Sequence, residues 1–384
     1  MITVVDLFCG CGGMSLGFQN AGYTILAGFE NWDSAVACYN ANLNNKAIQM
    51  DLLNVDAVVP EITRFAPNVI IGAPPCQDFS VAGAQVEGER ANLTVSFAQI
   101  VTRCLPQYFV MENVQQVTES EAYQKARKLF KDAGYGLTER VLDASLCGVP
   151  QKRKRFFCVG ALGREDDFLA ILFSCNQSVF PLTVREYFNS NQLPLNINHY
   201  YRHPRTYGRR AIYSVDEPSP TIRGVNRPKP QTYNQHTLDA VAPANIRALT
   251  YTERSYIQTF PTNYIWNASL SINEQMIGNA VPVNLAKYVG EALKSFISNR
   301  INPQAINFIE WLKTKKNYST NAAGDVLSRI NRARKIKKLY NYKLENYIQA
   351  LNDTEDFQKL KPSIQSQIKR AITLYYEYKK DIGG

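Results

Sequence analysis

Short apolar runs recur along the first 160 residues of the chain. They are rich in β-branched and aromatic residues, which is typical of buried β-strands. Seven of them predict strands, at residues 2–5, 23–29, 47–50, 68–71, 108–111, 138–142 and 156–160. Helical periodicity lies between several of these runs, at 14–19, 93–105 and 123–133. Strands that alternate with helices in this way predict an α/β domain with βαβ units.

The pattern changes between about residues 161 and 246. Pro, Asn, Tyr and Arg dominate there, and regular periodicity fades. We interpret this segment as a separate, small and loop-rich domain with a basic face. Its arginines can pair with phosphates or read guanine edges, although a solvated surface would have the same composition. The candidate arginines are Arg202, Arg205, Arg209, Arg210, Arg223 and Arg227.

Helical periodicity returns after residue 247. It predicts one helix over 248–260 and another that opens at 275–283 and runs to 298. The rest of the chain looks all-helical, with amphipathic segments near 304–316, 322–334, 336–350 and 363–380. We therefore divide the chain into segments 1–160, 161–246, 247–298 and 299–384.

Composition narrows the class of protein. Apolar residues make up 45% of the 384 and aromatic residues 11%, as in a globular chain with a large core. The first residues contain neither a basic region nor a long apolar stretch, so we expect no secretory leader, and no apolar run reaches the length of a membrane span. The eight cysteines form neither a disulfide framework nor a CxxC pair, and Pro204 argues against a helix that would join His199 to His203. We expect a cytoplasmic protein without a metal site.

The net charge of +10 is unevenly distributed. Residues 301–384 hold 16 Lys and Arg against 8 Asp and Glu, so this tail carries +8. A basic chain favours a polyanionic partner, and the location of the charge matters more than its sum. The tail is either a helical accessory domain that adds phosphate contacts or a structural, partner-binding appendage.

A glycine-rich turn follows the first predicted strand. Residues 6–13 read Asp-Leu-Phe-Cys-Gly-Cys-Gly-Gly, and Glu30 ends the second strand. Glycines let the backbone approach a ligand, and an acid at the next strand end can accept hydrogen bonds from both hydroxyls of a ribose. Asp51, after the third strand, can meet an adenine edge. The pattern suits NAD, FAD and S-adenosylmethionine alike, and many glycine turns bind nothing.

Cys76 lies just beyond a second break in the pattern. Pro74 and Pro75 force the chain out of the strand at 68–71 into a rigid loop. Open α/β sheets bind ligands at this end of their strands, so Cys76 is a candidate nucleophile, although most free cysteines are buried hydrophobes. Residues 81–92 are small and polar, and suit either a mobile lid or an ordinary surface loop.

Six stretches resemble, in linear order, the motifs of the DNA (cytosine-5)-methyltransferases. They are 6–13; 74–80; 112–114 (Glu-Asn-Val); Gln151 with Arg153 and Arg155; 247–250 with Glu253, Gln258 and 260–261; and Gln275 with 278–282. The resemblance covers about residues 1–298 and leaves the tail unassigned. It implies an S-adenosylmethionine-dependent methyltransferase fold: a Rossmann-like mixed sheet with helices on both faces. Segment 161–246 would be the target-recognition domain, and 247–298 would complete the catalytic domain of 1–160.

The resemblance also implies the residues of the site. S-adenosylmethionine, which becomes S-adenosyl-L-homocysteine, would contact Phe8, Gly10, Gly12, Glu30, Asp51, Leu52, Pro75, Asn279 and Val281. The catalytic residues would be Cys76, Glu112, Arg153 and Arg155. Besides the six arginines above, DNA would contact Gln77, Ser80, Arg90 and Gln151.

This residue set suits methyl transfer to cytosine. C5 of cytosine becomes nucleophilic once the Cys76 thiolate adds at C6. Glu112 would relieve charge at N3 of the ring. Arg153 and Arg155, at alternate positions of one strand, would hold O2 and a phosphate and keep Cys76 ionised. A base inside a duplex cannot reach Cys76, so the cytosine must be flipped out.

We expect a monomeric enzyme of the bacterial cytosol that acts on double-stranded DNA. The resemblance places it in a restriction–modification system beside a cognate restriction endonuclease, not necessarily in contact with it. Three alternatives stay open: an RNA cytosine-5 methyltransferase, a nicotinamide-dependent oxidoreductase built on the same βαβ signal, and a non-catalytic DNA-binding protein with a relic fold. The long basic segment and Ser80 favour DNA, whereas an oxidoreductase would leave Cys76 and Glu112 without a role.

Overall fold

A computed structural model describes residues 1–75, 92–204, 208–298, 303–339 and 343–382. The chain forms two compact units. The first comprises Met1–Asp166 and Pro181–Glu291, and the second comprises Asp167–Phe180 and Ala292–Gly384. Residues 167–180, assigned from sequence to the recognition segment, thus group with the C-terminal helices. The functional roles of the four predicted segments stay predictions.

The first unit is built on a seven-stranded sheet. Its strands are β1 (Thr3–Leu7), β2 (Thr24–Glu30), β3 (Ala47–Gln49), β4 (Val69–Gly72), β5 (Tyr108–Asn113), β6 (Tyr135–Asp143) and β8 (Lys154–Leu162). They lie in the order β3-β2-β1-β4-β5-β8-β6. Strands β1 to β5 pair in parallel, whereas β8 runs antiparallel to both of its neighbours. The predicted α/β class with a mixed sheet is confirmed.

Helices cover both faces of this sheet. They are α1 (Gly13–Asn20), α2 (Asp33–Asn42), α3 (Val55–Thr63), α4 (Asn92–Cys104) and α5 (Glu121–Asp132). Because the strand order reverses between β1 and β4 and parallel crossovers are right-handed, α1 and α2 lie on one face and α3 and α4 on the other. On the second face Phe97, Phe109 and Phe130 belong to one buried core. Gly160 lies against it, since a Cβ there would be 2.0 Å from the Phe109 ring.

The topology of the sheet fixes where a ligand can bind. Strands β1 and β4 are neighbours, yet the chain leaves them towards opposite faces. Open α/β sheets bind ligands in the crevice at the carboxyl ends of such a pair. The residues after Leu7, Gly72 and Asn113 therefore meet at one edge of the sheet.

The rest of the first unit consists of short elements. They are β7 (Gln151–Lys152), α7 (Val184–Ser190), β9 (His199–Tyr201), β10 (Ile212–Ser214), β11 (Ser219–Pro220), α8 (Tyr251–Ile257) and α9 (Leu270–Asn279). The helix α10 (Val283–Ile297) begins in the first unit, and its residues from Ala292 onward belong to the second. β9 pairs with β10 and β7 with β11. The prediction of one helix from 275 to 298 is wrong. Pro282 cannot donate an amide hydrogen bond, and the chain breaks between α9 and α10.

The second unit is helical. Its helices are α6 (Ala170–Cys175), α11 (Pro303–Lys316), α12 (Thr320–Ile336), α13 (Leu344–Asn352), α14 (Glu355–Gln358) and α15 (Pro362–Asp381). Phe308, Leu312 and Leu327 contribute to one buried core, and Tyr347 and Leu351 to another. None of the described helices is both long and apolar enough to cross a bilayer.

Candidate active site

An open cleft of about 1960 Å³ lies in the first unit, at the carboxyl ends of β1, β4 and β5. The glycine turn, the start of the loop that leads to Cys76, the end of β5 and the connection between α9 and α10 contribute its walls. The predicted site residues that line it are Phe8, Gly10, Glu30, Pro75, Glu112, Arg153, Arg155, Arg202, Arg209, Arg210, Arg223, Arg227, Asn279 and Val281. The fold thus brings most of the predicted set to one cavity.

Three predicted cofactor residues do not line the cleft. Gly12 is packed, because a Cβ there would lie 2.6 Å from Cδ1 of Leu43. Leu52 is buried in the core beside the sheet. Asp51 is exposed, and its Oδ1 accepts a hydrogen bond from the Leu53 amide at 3.0 Å.

Five predicted site residues lie outside the described part of the chain. They are Cys76, Gln77, Ser80, Arg90 and Arg205. Residues 81–91, almost all of the predicted lid, lie outside it as well. The roles assigned to these residues stay predictions.

The glycine turn reverses the chain between β1 and α1. Phe8, Gly10 and Gly12 all have left-handed backbones, with φ values of 55°, 53° and 90°. The Glu30 carboxylate holds the turn. It accepts hydrogen bonds from the amides of Gly10 at 2.9 Å, Asn31 at 2.9 Å and Trp32 at 3.0 Å. Since a carboxylate offers about four lone-pair sites, about one remains for a ligand, fewer than the two ribose hydroxyls predicted.

The same region fits an adenosyl cofactor. Among the described residues, apart from Gly10 and its two chain neighbours, no atom lies within 4 Å of where a Gly10 Cβ would be, so these residues leave space open above the turn. Gly13 closely approaches the connection between α9 and α10, because its Cβ would lie 2.4 Å from the Val281 carbonyl oxygen. Backbone amides and a carboxylate at the end of β2 are the donor and acceptor set that a ribose nucleoside requires.

Asp6 carries a buried carboxyl beneath the glycine turn. The first motif includes this residue, but the resemblance gives it no role. It is 0% exposed. Its Oδ2 accepts from the Ser15 hydroxyl at 2.7 Å, whereas its Oδ1 has no hydrogen-bond partner among the described residues. Burial, reinforced by the negative charge of Glu30, raises the pKa of Asp6 to about 7. An acid at the end of an apolar strand is the sequence signal that could have drawn attention to it.

Asn113 ties the end of β5 to the loop that leads to Cys76. Its Nδ2 donates to the carbonyl of Pro74 at 3.2 Å, and its Oδ1 accepts from the Val114 amide at 2.8 Å. The Asn113 side chain is almost fully buried. The start of this loop is therefore fixed relative to Glu112, the residue that precedes Asn113 in β5.

Glu112 and Arg155 form a buried ion pair on adjacent antiparallel strands. Nε of Arg155 lies 3.0 Å from Oε1 of Glu112, which is 7% exposed. Burial raises the pKa of the Glu112 carboxyl, and the charges of Arg155 and Arg153 offset this effect only in part. A raised pKa favours the protonated form of the carboxyl, which is the form that a general acid requires.

Arg153 is 2% exposed and joins its own segment to two others. Its guanidinium donates to the carbonyls of Ile222 at 3.0 Å, Gly278 at 3.2 Å and Ala280 at 3.1 Å. Arg153 falls in the break between β7 and β8, so it and Arg155 are not alternate positions of one strand as predicted. These contacts favour a positioning role over contact with the base.

Gln151 belongs to the same buried hub and is 0% exposed. Its Nε2 donates to Oε1 of Gln258 at 2.8 Å, and its Oε1 accepts from the Ile222 amide at 2.8 Å. Burial and the use of both ends of the amide argue against the predicted contact between Gln151 and DNA. Gln258, which the motifs include without a stated role, completes the hub.

The recognition arginines differ in how they are held. Arg209 and Arg227 are exposed at the cleft. Arg210 instead forms a two-pronged ion pair with Glu217 and lies 4.4 Å from the ring centre of Tyr213. Arg202 and Arg223 donate to backbone carbonyls of the same segment. Arg209 and Arg227 are therefore the better candidates for phosphate contacts.

The described thiols are poor nucleophiles. Burial raises the pKa of Cys9, Cys11, Cys38, Cys104, Cys147 and Cys158 above the ordinary thiol value. A thiolate is the reactive form, so a raised pKa lowers reactivity at neutral pH. Among the described residues, no group of three or more His, Cys, Asp or Glu side chains is arranged to hold a metal ion.

Comparison with known proteins gives a consistent result. A family model described as C-5 cytosine-specific DNA methylase matches residues 2–295. The chain is 51% identical over 295 residues to the Type II methyltransferase M.HindV of Haemophilus influenzae, an alignment that covers 76% of this chain and 96% of that protein. It is 50% identical over 298 residues to M.HgiDI of Herpetosiphon aurantiacus, with coverage of 77% and 96%.

Solved structures with a similar fold include the S. pombe Dnmt2 methyltransferase. The TM-score is 0.60 at 18% identity, over 78% of this chain and 99% of that one. The Spodoptera frugiperda DNMT2 structure, a triple mutant, gives a TM-score of 0.57 at 18% identity, over 77% and 100%. At this level of identity the likeness concerns the fold.

Proposed function

Because the chain belongs to the family of C-5 cytosine-specific DNA methylases, we propose that it methylates C5 of a flipped-out cytosine in a specific duplex sequence, with S-adenosylmethionine as donor and a transient bond between Cys76 and C6. The family makes the chain a DNA (cytosine-5)-methyltransferase. Base flipping, the covalent step and the individual residue roles are what the proposal adds.

The buried pair of Glu112 and Arg155 is the observation that carries this proposal. It lies on the cleft that the glycine turn also lines, and Asn113 anchors the start of the Cys76 loop beside it. Nucleophilic addition to a pyrimidine requires a thiol that attacks the ring and an acid that supplies it with a proton. The loop that carries Cys76 would supply the thiol, and Glu112, with its raised pKa, would supply the proton.

Glu112 would move a proton at N3 of the cytosine. Arg155 pairs with Oε1 of Glu112, and Oε2 would face the base. As the Cys76 sulfur bonds to C6, the ring gains negative charge, and a proton from Glu112 at N3 neutralises it. After methyl transfer, a base takes the C5 proton, the C6–S bond breaks and N3 returns its proton to Glu112, which restores the aromatic ring, the thiolate and the protonated carboxyl.

S-adenosylmethionine would be held by the glycine turn, by Glu30 and by the connection between α9 and α10. When bound, it supplies an electrophilic methyl group on a sulfonium centre. Glu30 would accept a ribose hydroxyl with its remaining lone pair, and Phe8, Asn279 and Val281 would enclose the nucleoside. Leu52 is buried and Gly12 is packed, so we assign them support of the pocket rather than direct contact.

Flipping the target base would expose it to this cleft. Unstacking a base costs a few kcal/mol, which phosphate and groove contacts must offset. Arg209 and Arg227, exposed at the cleft, would supply phosphate contacts. Through its three carbonyl partners, Arg153 would fix the position of Ile222 in the recognition segment relative to Gly278 and Ala280 beside the cofactor.

Methylation of plasmid DNA followed by bisulfite sequencing tests this proposal. Wild-type protein should produce 5-methylcytosine at one position of one recurring sequence. Cys76→Ala should bind S-adenosylmethionine as tightly as wild type and leave the plasmid unmethylated. A parallel assay on tRNA is the control for the substrate. Substantial methylation by Cys76→Ala, or methylation of tRNA in place of duplex DNA, would overturn the proposal.

The relatives suggest a restriction–modification setting, because both carry the name Type II methyltransferase. We propose that the enzyme acts in the bacterial cytosol and protects host DNA from a cognate restriction endonuclease. DNA from cells that express the protein should then resist an endonuclease that cuts at the methylated sequence. Full cleavage of fully methylated DNA by every endonuclease of that specificity would contradict the assignment.

A further inference from the structure

The second unit holds most of the net positive charge of the chain and lies largely beyond the family match. Residues 301–384 carry +8 of the total +10, and the family match ends at residue 295. The described residues of this stretch pack around Phe308, Leu312, Tyr347 and Leu351. Its cations are therefore held on a folded scaffold with a defined surface.

The charge is concentrated in one part of this unit. Between Val326 and Glu345 the sequence contains seven Lys and Arg and no Asp or Glu. We call these seven the basic segment: Arg329, Arg332, Arg334, Lys335, Lys337, Lys338 and Lys343. Such a run without a single carboxylate is unlike the interleaved charges of an ordinary solvated helix.

Helix electrostatics explain only part of the basic segment. Cations in the last turn of a helix offset its dipole, which accounts for Arg334 and Lys335 of α12. The effect falls off beyond the last turn, and α12 ends at Ile336. Lys338 and Lys343 therefore need another explanation.

No ion pair neutralises these seven cations within the described residues. Elsewhere in the unit, cations do find carboxylates. The pairs are Lys313–Glu310 at 2.9 Å, Lys316–Glu377 at 2.7 Å and Lys359–Glu355 at 3.5 Å. Among the described residues the unit thus contains a paired set of three lysines, whereas the basic segment, like Lys315, Lys361, Lys369, Arg370, Lys379 and Lys380, has no ion pair. The basic segment differs from these other cations in being an uninterrupted run of seven without a carboxylate.

Contacts with rings and carbonyls hold part of the basic segment in place. The Arg334 guanidinium lies 4.8 Å from the ring centre of Tyr375, and Nζ of Lys335 donates to the Gln177 carbonyl at 2.7 Å. These contacts order the side chains without cancelling their charge. Lys335, Lys338 and Lys343 are also exposed, so a partner can reach them.

We propose that the basic segment binds the phosphate backbone of duplex DNA outside the recognised sequence. The inference rests on the proposed function, which makes duplex DNA the polyanion that this chain already meets. Cations that neutralise phosphates release condensed counterions, so each contact strengthens binding as salt is lowered. Phosphate contacts carry no sequence information, and the basic segment therefore adds affinity for every duplex equally.

Three full-length proteins test this proposal. The first is wild type, and the second carries Lys335→Gln, Lys338→Gln and Lys343→Gln. The matched control carries Lys313→Gln, Lys316→Gln and Lys359→Gln, which removes the same charge from the paired set. Dissociation constants are measured at several salt concentrations for a duplex with the methylated sequence and for an unrelated duplex of equal length.

The basic-segment variant should lower the slope of log affinity against log salt by about 2 to 3, because each phosphate contact contributes about 0.9. Affinity at 0.1 M salt should fall roughly tenfold or more on both duplexes, with their ratio unchanged. The control variant should keep the wild-type slope. Binding is measured without methyl transfer, so a failure of the Cys76 chemistry would leave this result unaffected.

An unchanged slope in the basic-segment variant would overturn the proposal, and so would an equal loss in the control, which would reflect net charge alone. A loss confined to the recognised duplex would also contradict it. Should the triple variant unfold, as judged by its melting temperature, Lys338→Gln with Lys343→Gln replaces it. The expected decrease in slope is then about 2.

Discussion

The proposed chemistry of Glu112 depends on its burial and on the neighbouring charges of Arg155 and Arg153. Arg155 stabilises its charged form, whereas loss of water favours the neutral form and prevails, so the pKa of Glu112 is raised. The surface residue Glu121, in contrast, pairs with Lys125 in water. Two glutamates nine residues apart thus differ in chemistry because only one of them is buried.

Glu112→Gln should lower kcat by about 10²- to 10⁴-fold, the usual contribution of a general acid. A glutamine cannot pass a proton to N3, although it keeps the size of the side chain. Single-turnover methylation at saturating DNA measures the effect, with unchanged S-adenosylmethionine binding as the check on folding. Glu121→Gln is the control and should retain wild-type kcat. A glutamine variant with full activity would remove Glu112 from the mechanism.

Asp6 should make stability depend on pH. Its pKa is raised to about 7 in the folded protein, against about 3.9 in an unfolded chain. The folded state therefore binds the proton more tightly, and this contribution is present below about pH 4 and lost as the pH rises through 7. It amounts to at most about 4 kcal/mol.

Asp6→Asn should remove this pH dependence. The free energy of unfolding of the variant, from urea titrations between pH 4 and pH 8, should decline less with rising pH than that of wild type. Cys9 and Glu30 lie near enough to affect Asp6 electrostatically, so Glu30→Gln is a useful second variant. If Asp6→Asn and wild type show parallel curves, the buried carboxyl is not ionising in this range.

At the scale of elements, a buried hub is formed by Gln151, Arg153 and Gln258. It joins the region of β7 and β8 to Ile222 of the recognition segment and to the end of α9. Gly278 allows this close approach, because a Cβ there would lie 2.1 Å from the backbone of Arg223. The hub satisfies carbonyl groups that would otherwise be buried without a donor. The wall of the cleft therefore depends on side chains that are almost fully buried.

Arg153→Lys should lower the free energy of unfolding by about 3 kcal/mol. Lysine keeps the charge but lacks the planar fork that reaches the carbonyls of Ile222, Gly278 and Ala280 together, and buried carbonyls without a donor are costly. Chemical denaturation measures the loss. Arg64→Lys, at an exposed ion pair with Glu61, is the control and should change stability by less than about 1 kcal/mol. A stable Arg153→Lys protein would show that the hub is dispensable.

The sequence was informative where local pattern and environment agree. Apolar, β-branched runs locate the sheet strands, because strands buried on both faces require them. Helices α2 and α3 were not predicted. α2 is only weakly amphipathic, and α3 contains Pro60, which normally signals a break. Both helices are stabilised by packing that no local pattern records.

The site was predictable as a set of motifs but not as a set of contacts. The motifs name Gln151 and Arg153 beside Arg155, yet only Arg155 reaches Glu112 closely while the other two are buried in the hub. That difference depends on carbonyls of residues 222 and 278, some 70 and 125 positions away. No spacing rule within the chain anticipates such partners.

At the scale of the whole molecule, chemistry and charge are separated. The family match spans residues 2–295, and the relatives are covered almost completely by that part of the chain. The first unit closes at Glu291, near the end of this match. Residues 296–384 of the second unit thus lie beyond the family match, and the role proposed for them concerns affinity for DNA rather than the reaction.

The central claim is that Cys76 bonds to C6 of the target cytosine, and trapping that bond tests it most directly. A duplex with 5-fluorocytosine at the methylated position lacks the C5 proton whose loss frees the enzyme. With S-adenosylmethionine present, the account predicts a protein–DNA adduct that survives denaturation, with the attachment mapped to Cys76. Absence of any adduct under conditions in which ordinary duplex is methylated, or attachment at another residue, would contradict it.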